Sequence, residues 1–162
     1  MKLLQCAIYI AAIGILSNPI AHLLPRTWFH ADRFPYRSFG WEQNGKVYEK
    51  LRIRAWKDRV PDMSKLLPFM VRKEVASRPT AESIARLVQE TCVAESVHWV
   101  LMVLSLAVLK IWKGAGGWIC YLLCILGNLP FIIIQRYNRP RLKRLLRCRD
   151  QASVKGGVLC VP

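Results

Sequence analysis

A chain of 162 residues is one domain's worth of sequence, yet 53% of it is apolar and its mean hydropathy is +0.20, high for a soluble domain. Its formal net charge of +15, from 25 Lys and Arg against 10 Asp and Glu, would in a soluble protein direct attention to nucleic acid. No RNP-like aromatic strand, zinc-ligand spacing or helix-turn-helix pattern accompanies the charge, and no nucleic-acid partner is expected.

The first apolar block covers 3–24, within MKLLQCAIYIAAIGILSNPIAHLLP. One basic residue ahead of an apolar run also fits a secretion signal cleaved near Ala21. Cleavage would send the basic segment that follows to the outer side, and the apolar block runs on past Pro19 to Leu24. A retained transmembrane anchor over 1–24 is therefore expected, bent or ended near Asn18 and Pro19.

Residues 25–79 form a basic, aromatic-rich loop. In RTWFHADRFPYRSFGWEQNGKVYEKLRIRAWKDRVPD the rings interleave with cations, which suits a segment lying on the membrane interface against anionic lipid. Turn chemistry occurs at Phe34-Pro35 and Asn44-Gly45, and KVYEKLRIRAW fits period two and a short amphipathic helix equally. Residues 63–78, interrupted by Pro68, read as irregular or broken helix.

From Thr80, a candidate N-cap, Ile84, Leu87, Val88 and Cys92 recur at helical spacing, and neither Gly nor Pro returns until Gly114. One helix over 80–112 is expected, amphipathic at first and continuing into a second membrane span. After a short turn near Lys110 and Lys113 comes a third span, 117–135, and then a basic amphipathic tail, 136–162, with Leu142, Leu145 and Leu146 as its apolar stripe. The fold class is all-α, an integral membrane protein with three transmembrane helices and an interfacial loop. Fourteen of the 25 cations lie between positions 26 and 86 and eight between 136 and 155. Three crossings put both basic regions on one side, so a multi-pass cell-membrane protein with its amino terminus outside and its loop and tail cytoplasmic is expected.

Ionisable groups collect where water ends. On the second helix Glu95 and His98 stand at i and i+3, neighbours on one face, with Thr91 a turn earlier and Glu90 close by. A carboxylate beside an imidazole can fix its tautomer and stabilise its cation, as a general base requires; a solvated pair at the membrane boundary has the same spacing. In the third span Asn128 and Pro130 interrupt an apolar run, which fits a kinked, polar-lined helix or a helix-packing hydrogen bond. Seven cations follow within positions 136–149 and suit either anionic lipid or a phosphate-bearing or acidic acyl donor. Cys6, Cys92, Cys120, Cys124, Cys148 and Cys160 contain no CxxC pair, and neither a metal nor a cofactor is expected.

Three stretches in order, WKDRVPD (56–62), the ET…AE…HW arrangement (90–99) and NLPFIIIQRYNRPRL (128–142), resemble the glycosyl-4,4'-diaponeurosporenoate acyltransferase family of staphyloxanthin-type carotenoid synthesis. FGWEQNGKVY, 39–48, is also similar. Residues 63–77 and the tail from 151 depart from the pattern. The resemblance implies transfer of a fatty acyl group to a sugar hydroxyl of a glycosylated C30 carotenoid acid, within the membrane. The partners it implies are a fatty acyl thioester, CoA or acyl carrier protein, a glycosylated carotenoid or lipid acceptor, and membrane lipid.

Chemistry and motif position together nominate His98 as base towards the sugar hydroxyl, Glu95 as its orienting partner, and Lys57, Asn128 or Arg136 as donor to the oxyanion. Asp62 could instead position the sugar. Trp56, Asn128, Gln135, Arg136, Asn138, Arg139 and Arg141 complete the expected substrate-binding set. A covalent route through Cys92 or Ser96 is disfavoured, since Ser96 points away from His98 on a helix and Cys92 lies almost two turns off. The competing account is a noncatalytic membrane scaffold or anionic-lipid-binding protein.

Overall fold

The computed structural model describes residues 1–60 and 80–154. Among these all the regular structure is helical, in the order α1 (Lys2–Leu23), 3-10 turns at Arg26–Trp28 and Gly40–Leu51, α2 (Ile53–Trp56), a 3-10 turn at Lys57–Arg59, α3 (Ala81–Leu104), a 3-10 turn at Ser105–Ala107, α4 (Val108–Ile111) and α5 (Ala115–Val154). Three helical stretches, Lys2–Leu23, Ala81–Ile111 and Ala115–Gln151, are long and apolar enough to cross a membrane. This is an all-α membrane protein.

Pro19 lies inside α1 and does not end it. Proline removes a single backbone donor, and the helix continues to Leu23, where Arg26 takes over its carboxyl end: Nη1 donates to Ala21 O and Leu24 O, each at 2.8 Å. At the other end Cys6 is buried with Val108 and Cys120, and the Tyr9 hydroxyl donates to Leu104 O at 3.0 Å. α1 is thus packed against the other two long helices.

Thr80 caps α3 as its sequence position predicts, its Oγ1 accepting from Ser83 N at 3.2 Å. The helix reverses into α5 through Trp112 in extended backbone and Gly114 at φ +86°, a conformation glycine adopts without strain. α3 and α5 run antiparallel and form the main packing seam. At 1.5 Å per residue, the 37 residues of Ala115–Gln151 reach about 55 Å, well beyond the ~30 Å hydrocarbon layer. α5 carries Pro130 and Pro140 within one continuous helix, so its basic end is an extension of the third span.

Large apolar side chains on the outer faces mark the membrane layer. They include Ile8, Ile15 and Ile20 on α1, Val100, Val103 and Leu104 on α3, and Ile119, Leu122 and Leu126 on α5. On α3 this band begins at Trp99, the residue after His98.

The loop folds over the seam and is helical where its sequence left two options. Gln43, Asn44 and Gly45 are all left-handed, which breaks the Gly40–Leu51 stretch in the middle and lets Glu42 and Tyr48 turn inwards together. Two apolar clusters seat the loop. Phe29 packs with Cys92 and Val93 on α3, and Tyr48 and Ile53 pack with Tyr137 on α5.

Candidate functional site

His98 and Asn128 face each other across the α3–α5 seam. Asn128 Nδ2 donates to Cys124 O, one turn back, at 2.8 Å, which leaves Oδ1 pointing at the imidazole. A carbonyl oxygen only accepts, so His98 Nδ1, 2.8 Å away, carries the proton and Nε2 keeps its lone pair. The ring stacks on Phe131 with centroids 4.5 Å apart and planes 13° from parallel. His98 is half-buried, and Nε2 has no partner among the described residues. An imidazole held in one tautomer with a free basic nitrogen is the arrangement a general base needs.

Glu95 does not take the orienting role expected of it. It is fully buried and turned to the arginines of α5: Oε1 accepts from Arg136 Nη1 at 2.6 Å and Oε2 from Arg139 Nη2 at 2.5 Å. Two guanidinium groups outcompete one neutral ring for a buried carboxylate. The hydrogen-bond partner of the imidazole is Asn128 instead.

A second buried carboxylate completes this cluster. Glu42, 1% exposed, accepts from Arg136 Nε at 2.6 Å and Nη2 at 2.9 Å, from Phe39 N at 2.7 Å, and from the Tyr48 hydroxyl. Arg136 also donates to Pro35 O at 3.2 Å and Arg37 O at 3.3 Å, so all five of its N–H bonds are used within the chain. Arg139, 3% exposed, donates to Thr91 Oγ1 at 2.9 Å, Thr91 O at 3.1 Å and Tyr36 O at 2.6 Å. Phe39 and Tyr36 lie beneath the two guanidinium groups, 4.9 and 5.5 Å from ring centre to Cζ. Two glutamates and two arginines sum to zero charge, the condition under which such a cluster tolerates burial.

Burial pushes the Glu42 carboxyl up, but the donors from Arg136, Tyr48 and Phe39 outweigh it and hold the group below its ordinary value. Tyr48 moves the other way. Burial first, and then its hydrogen bond to Glu42, keep the phenol protonated well above its ordinary range.

The remaining expected residues divide. Gln135 lies two turns beyond Asn128 and within about 20° of it around α5, so it belongs to the same seam. Asn138 follows one turn later. Both are half-buried and have no hydrogen-bond partner among the described residues. Trp56 and Lys57 are elsewhere: Trp56 packs in the Tyr48–Ile53–Tyr137 cluster, and Lys57 Nζ stands 6.0 Å from the Tyr137 ring centre. Tyr137 is nine residues past Asn128, half a turn around the helix, so this group occupies the face of α5 turned away from His98. Arg141 also belongs there. It bonds Glu49 Oε1 at 2.5 Å and Tyr137 O at 3.0 Å. A shallow cavity lined by Glu49, Arg52, Arg54 and Ala55 adjoins this far side and has no part in the His98 arrangement. Asp62 lies outside the described residues.

Glu42, Tyr36 and Phe131 are participants that the sequence reading did not single out. Two arginines on one buried face required two carboxylates, and only Glu95 was in view. Glu42 stands in FGWEQNGKVY, a stretch whose resemblance was noted without a role for its acid.

The family model for glycosyl-4,4'-diaponeurosporenoate acyltransferase matches residues 25–148. The enzyme of that name from Staphylococcus aureus strain MRSA252 is 28% identical over 143 residues, which cover 88% of this chain and 86% of the relative. Its counterpart from strain N315 is 29% identical over 145 residues, with the same two shares. No solved structure matches the chain. The matched region contains the loop acid Glu42, both buried arginines and the whole His98–Asn128 pair, and the chain belongs to the glycosyl-4,4'-diaponeurosporenoate acyltransferase family.

Proposed function

We propose that this chain is a membrane O-acyltransferase that esterifies a sugar hydroxyl of a glycosylated carotenoid acid, or a related glycolipid, with a fatty acyl group from a CoA or carrier-protein thioester. The observation that supports it best is the His98–Asn128 hydrogen bond, which leaves Nε2 as a base at the edge of the lipid-facing band. Two amphiphiles whose tails partition into lipid meet with their reactive heads at that depth, and the membrane supplies much of the effective concentration.

In this reading His98 Nε2 takes the hydroxyl proton as the sugar oxygen attacks the thioester carbonyl. The C–O bond forms, the C–S bond breaks, and the proton passes from the imidazolium to the departing thiolate. The imidazolium is itself a positive charge beside the developing oxyanion. Arg136 has no N–H left for that task, Asn128 is engaged with Cys124 and His98, and Lys57 is on the far face of α5. The loop and the basic end of α5 lie on the cytoplasmic side in this proposal, where both thioester donors occur.

The test is reconstitution of the purified chain in nanodiscs with a glucosylated C30 carotenoid acid and either acyl-CoA or acyl carrier protein, followed by mass spectrometry. The expected product is heavier than the acceptor by one acyl group and is lost in His98→Ala. Ester formation undiminished in His98→Ala removes the mechanism, and absence of product from the wild type with both donors removes the activity.

A further inference from the structure

We infer that Gln135 and Asn138 form the subsite that reads the hydroxyl groups of the acceptor's hexose, an inference that rests on the acyltransferase reading above. The starting observation is an imbalance along one seam. Thr91, Glu95, His98, Asn128, Arg136 and Arg139 are all partnered there. Gln135 and Asn138 are not, among the described residues, although both are half-buried. Their amide atoms are open to solvent and not sealed in the protein, so two amides without an intramolecular partner on the seam that carries His98 are placed to exchange water for the hydroxyl groups of a ligand.

Their position around α5 separates them from the ion-pair cluster. Measured from Asn128, Arg136 lies about 80° to one side, while Phe131 and Asn138 lie about 60° and 80° to the other, with Gln135 between. The loop covers the first flank through Glu42, Pro35 and Arg37. The second flank carries the Phe131 ring on which His98 stacks, and the two amides continue along α5 from it at one-turn intervals.

The hydroxyl that reacts must reach His98 Nε2, so the rest of its sugar ring lies within one or two helical turns of that atom. A primary amide presents a donor and an acceptor side by side, which matches the paired donor and acceptor character of neighbouring sugar hydroxyls. It carries no charge, as a neutral hexose requires, and the Phe131–His98 stack offers an apolar wall for the ring's C–H face. A phosphate or carboxylate ligand would call for the cations that this flank lacks.

The experiment compares the wild type, Gln135→Met and Asn138→Leu in nanodiscs, using a glucosylated acceptor and a matched series in which each hexose hydroxyl is replaced by hydrogen. The expected result is that each variant raises the acceptor KM by about fivefold or more while leaving the donor KM and kcat within about twofold, as loss of a neutral hydrogen bond to one substrate should. The variant should also be indifferent to removal of the one hydroxyl its missing amide had bound. An unchanged acceptor KM in both variants overturns the subsite and leaves the acyltransferase reading intact. So does a wild type that accepts every deoxy acceptor equally well, a measurement that does not depend on the variants folding. A wild type that forms no ester overturns both.

Discussion

Asn128 Oδ1 stands 2.8 Å from His98 Nδ1, and because the same amide is tied to Cys124 O by its nitrogen, it can meet the imidazole only as an acceptor. Asn128→Leu should therefore lower turnover without displacing the protein from the membrane. The loss should fall between about tenfold and the ~10⁴-fold that a wrong tautomer costs a Ser-His-Asp triad. Asn128→Asp, which still accepts from Nδ1, should retain more activity. Equal loss in the two variants would mean that the hydrogen bond has no orienting role.

Glu95 is shared by Arg136 and Arg139, and removing any one of the three leaves a buried charge uncompensated. Arg136→Ala should destabilise the protein by about 3–5 kcal/mol, a range typical of breaking a buried pair. Arg136→Lys should be nearly as damaging, since an ammonium cannot reproduce five donors fixed in one plane. Thermal unfolding in detergent would show this, together with protease cleavage within residues 30–50. A melting temperature unchanged by Arg136→Ala would contradict the account of the cluster.

Docking of the loop should resist mild acid. The Glu42 carboxyl is held below its ordinary value in the folded protein, so its contribution is fully present above the ordinary carboxylate range and is lost only as pH falls through the lowered value. Protease sensitivity of the loop should accordingly stay flat from pH 7 to about 5 and rise below the ordinary range, near 4. Glu42→Gln should weaken docking at neutral pH and remove this acid limb. Release of the loop near pH 6 in the wild type would show that some other group governs it.

Gly45 has φ +88°, and a Cβ there would lie 3.3 Å from Tyr137 O. Gly45→Ala combines left-handed backbone strain with a tight contact on α5, and should cost about 1–2 kcal/mol of loop docking. Partial proteolysis measures that cost. Resistance equal to the wild type would mean the loop is seated by its other contacts alone.

Cysteine labelling tests orientation. With Cys148 and Cys160 changed to serine, Lys50→Cys, on the exposed side of the loop, should react with a membrane-impermeant maleimide only after the cells are opened. Labelling of intact cells would invert the proposed topology.

The three long helices were legible because hydropathy and charge distribution act over about twenty residues at a time and are indifferent to partners. The α3 amino terminus could be placed to the residue, since Thr80 is followed by its own capping geometry. The end of α1 could not, because Pro19 costs one donor and the rest of the helix is indifferent to it. Within the site, His98 and Asn128 each stood out as polar groups in apolar surroundings. Their pairing depended on the register of two antiparallel helices, which no local spacing encodes. The i to i+3 relation of Glu95 and His98 was real geometry. What local spacing could not show was the competition for Glu95 from Arg136 and Arg139, more than forty positions away. Lys57 and Trp56 illustrate the converse, a motif near in pattern whose chain path leads to the far face of α5.

The zero charge of the four-residue cluster bears on the order in which the protein assembles. As two separate helices enter the bilayer, α3 brings one negative charge to the seam and α5 brings two positive ones, so the hairpin they form still carries an excess of one cation there. Only the arrival of Glu42 cancels it. If the loop seats after both helices are in place, its arrival is favoured electrostatically, and a chain caught before that step would hold an excess of one positive charge around Glu95, one helical turn from His98.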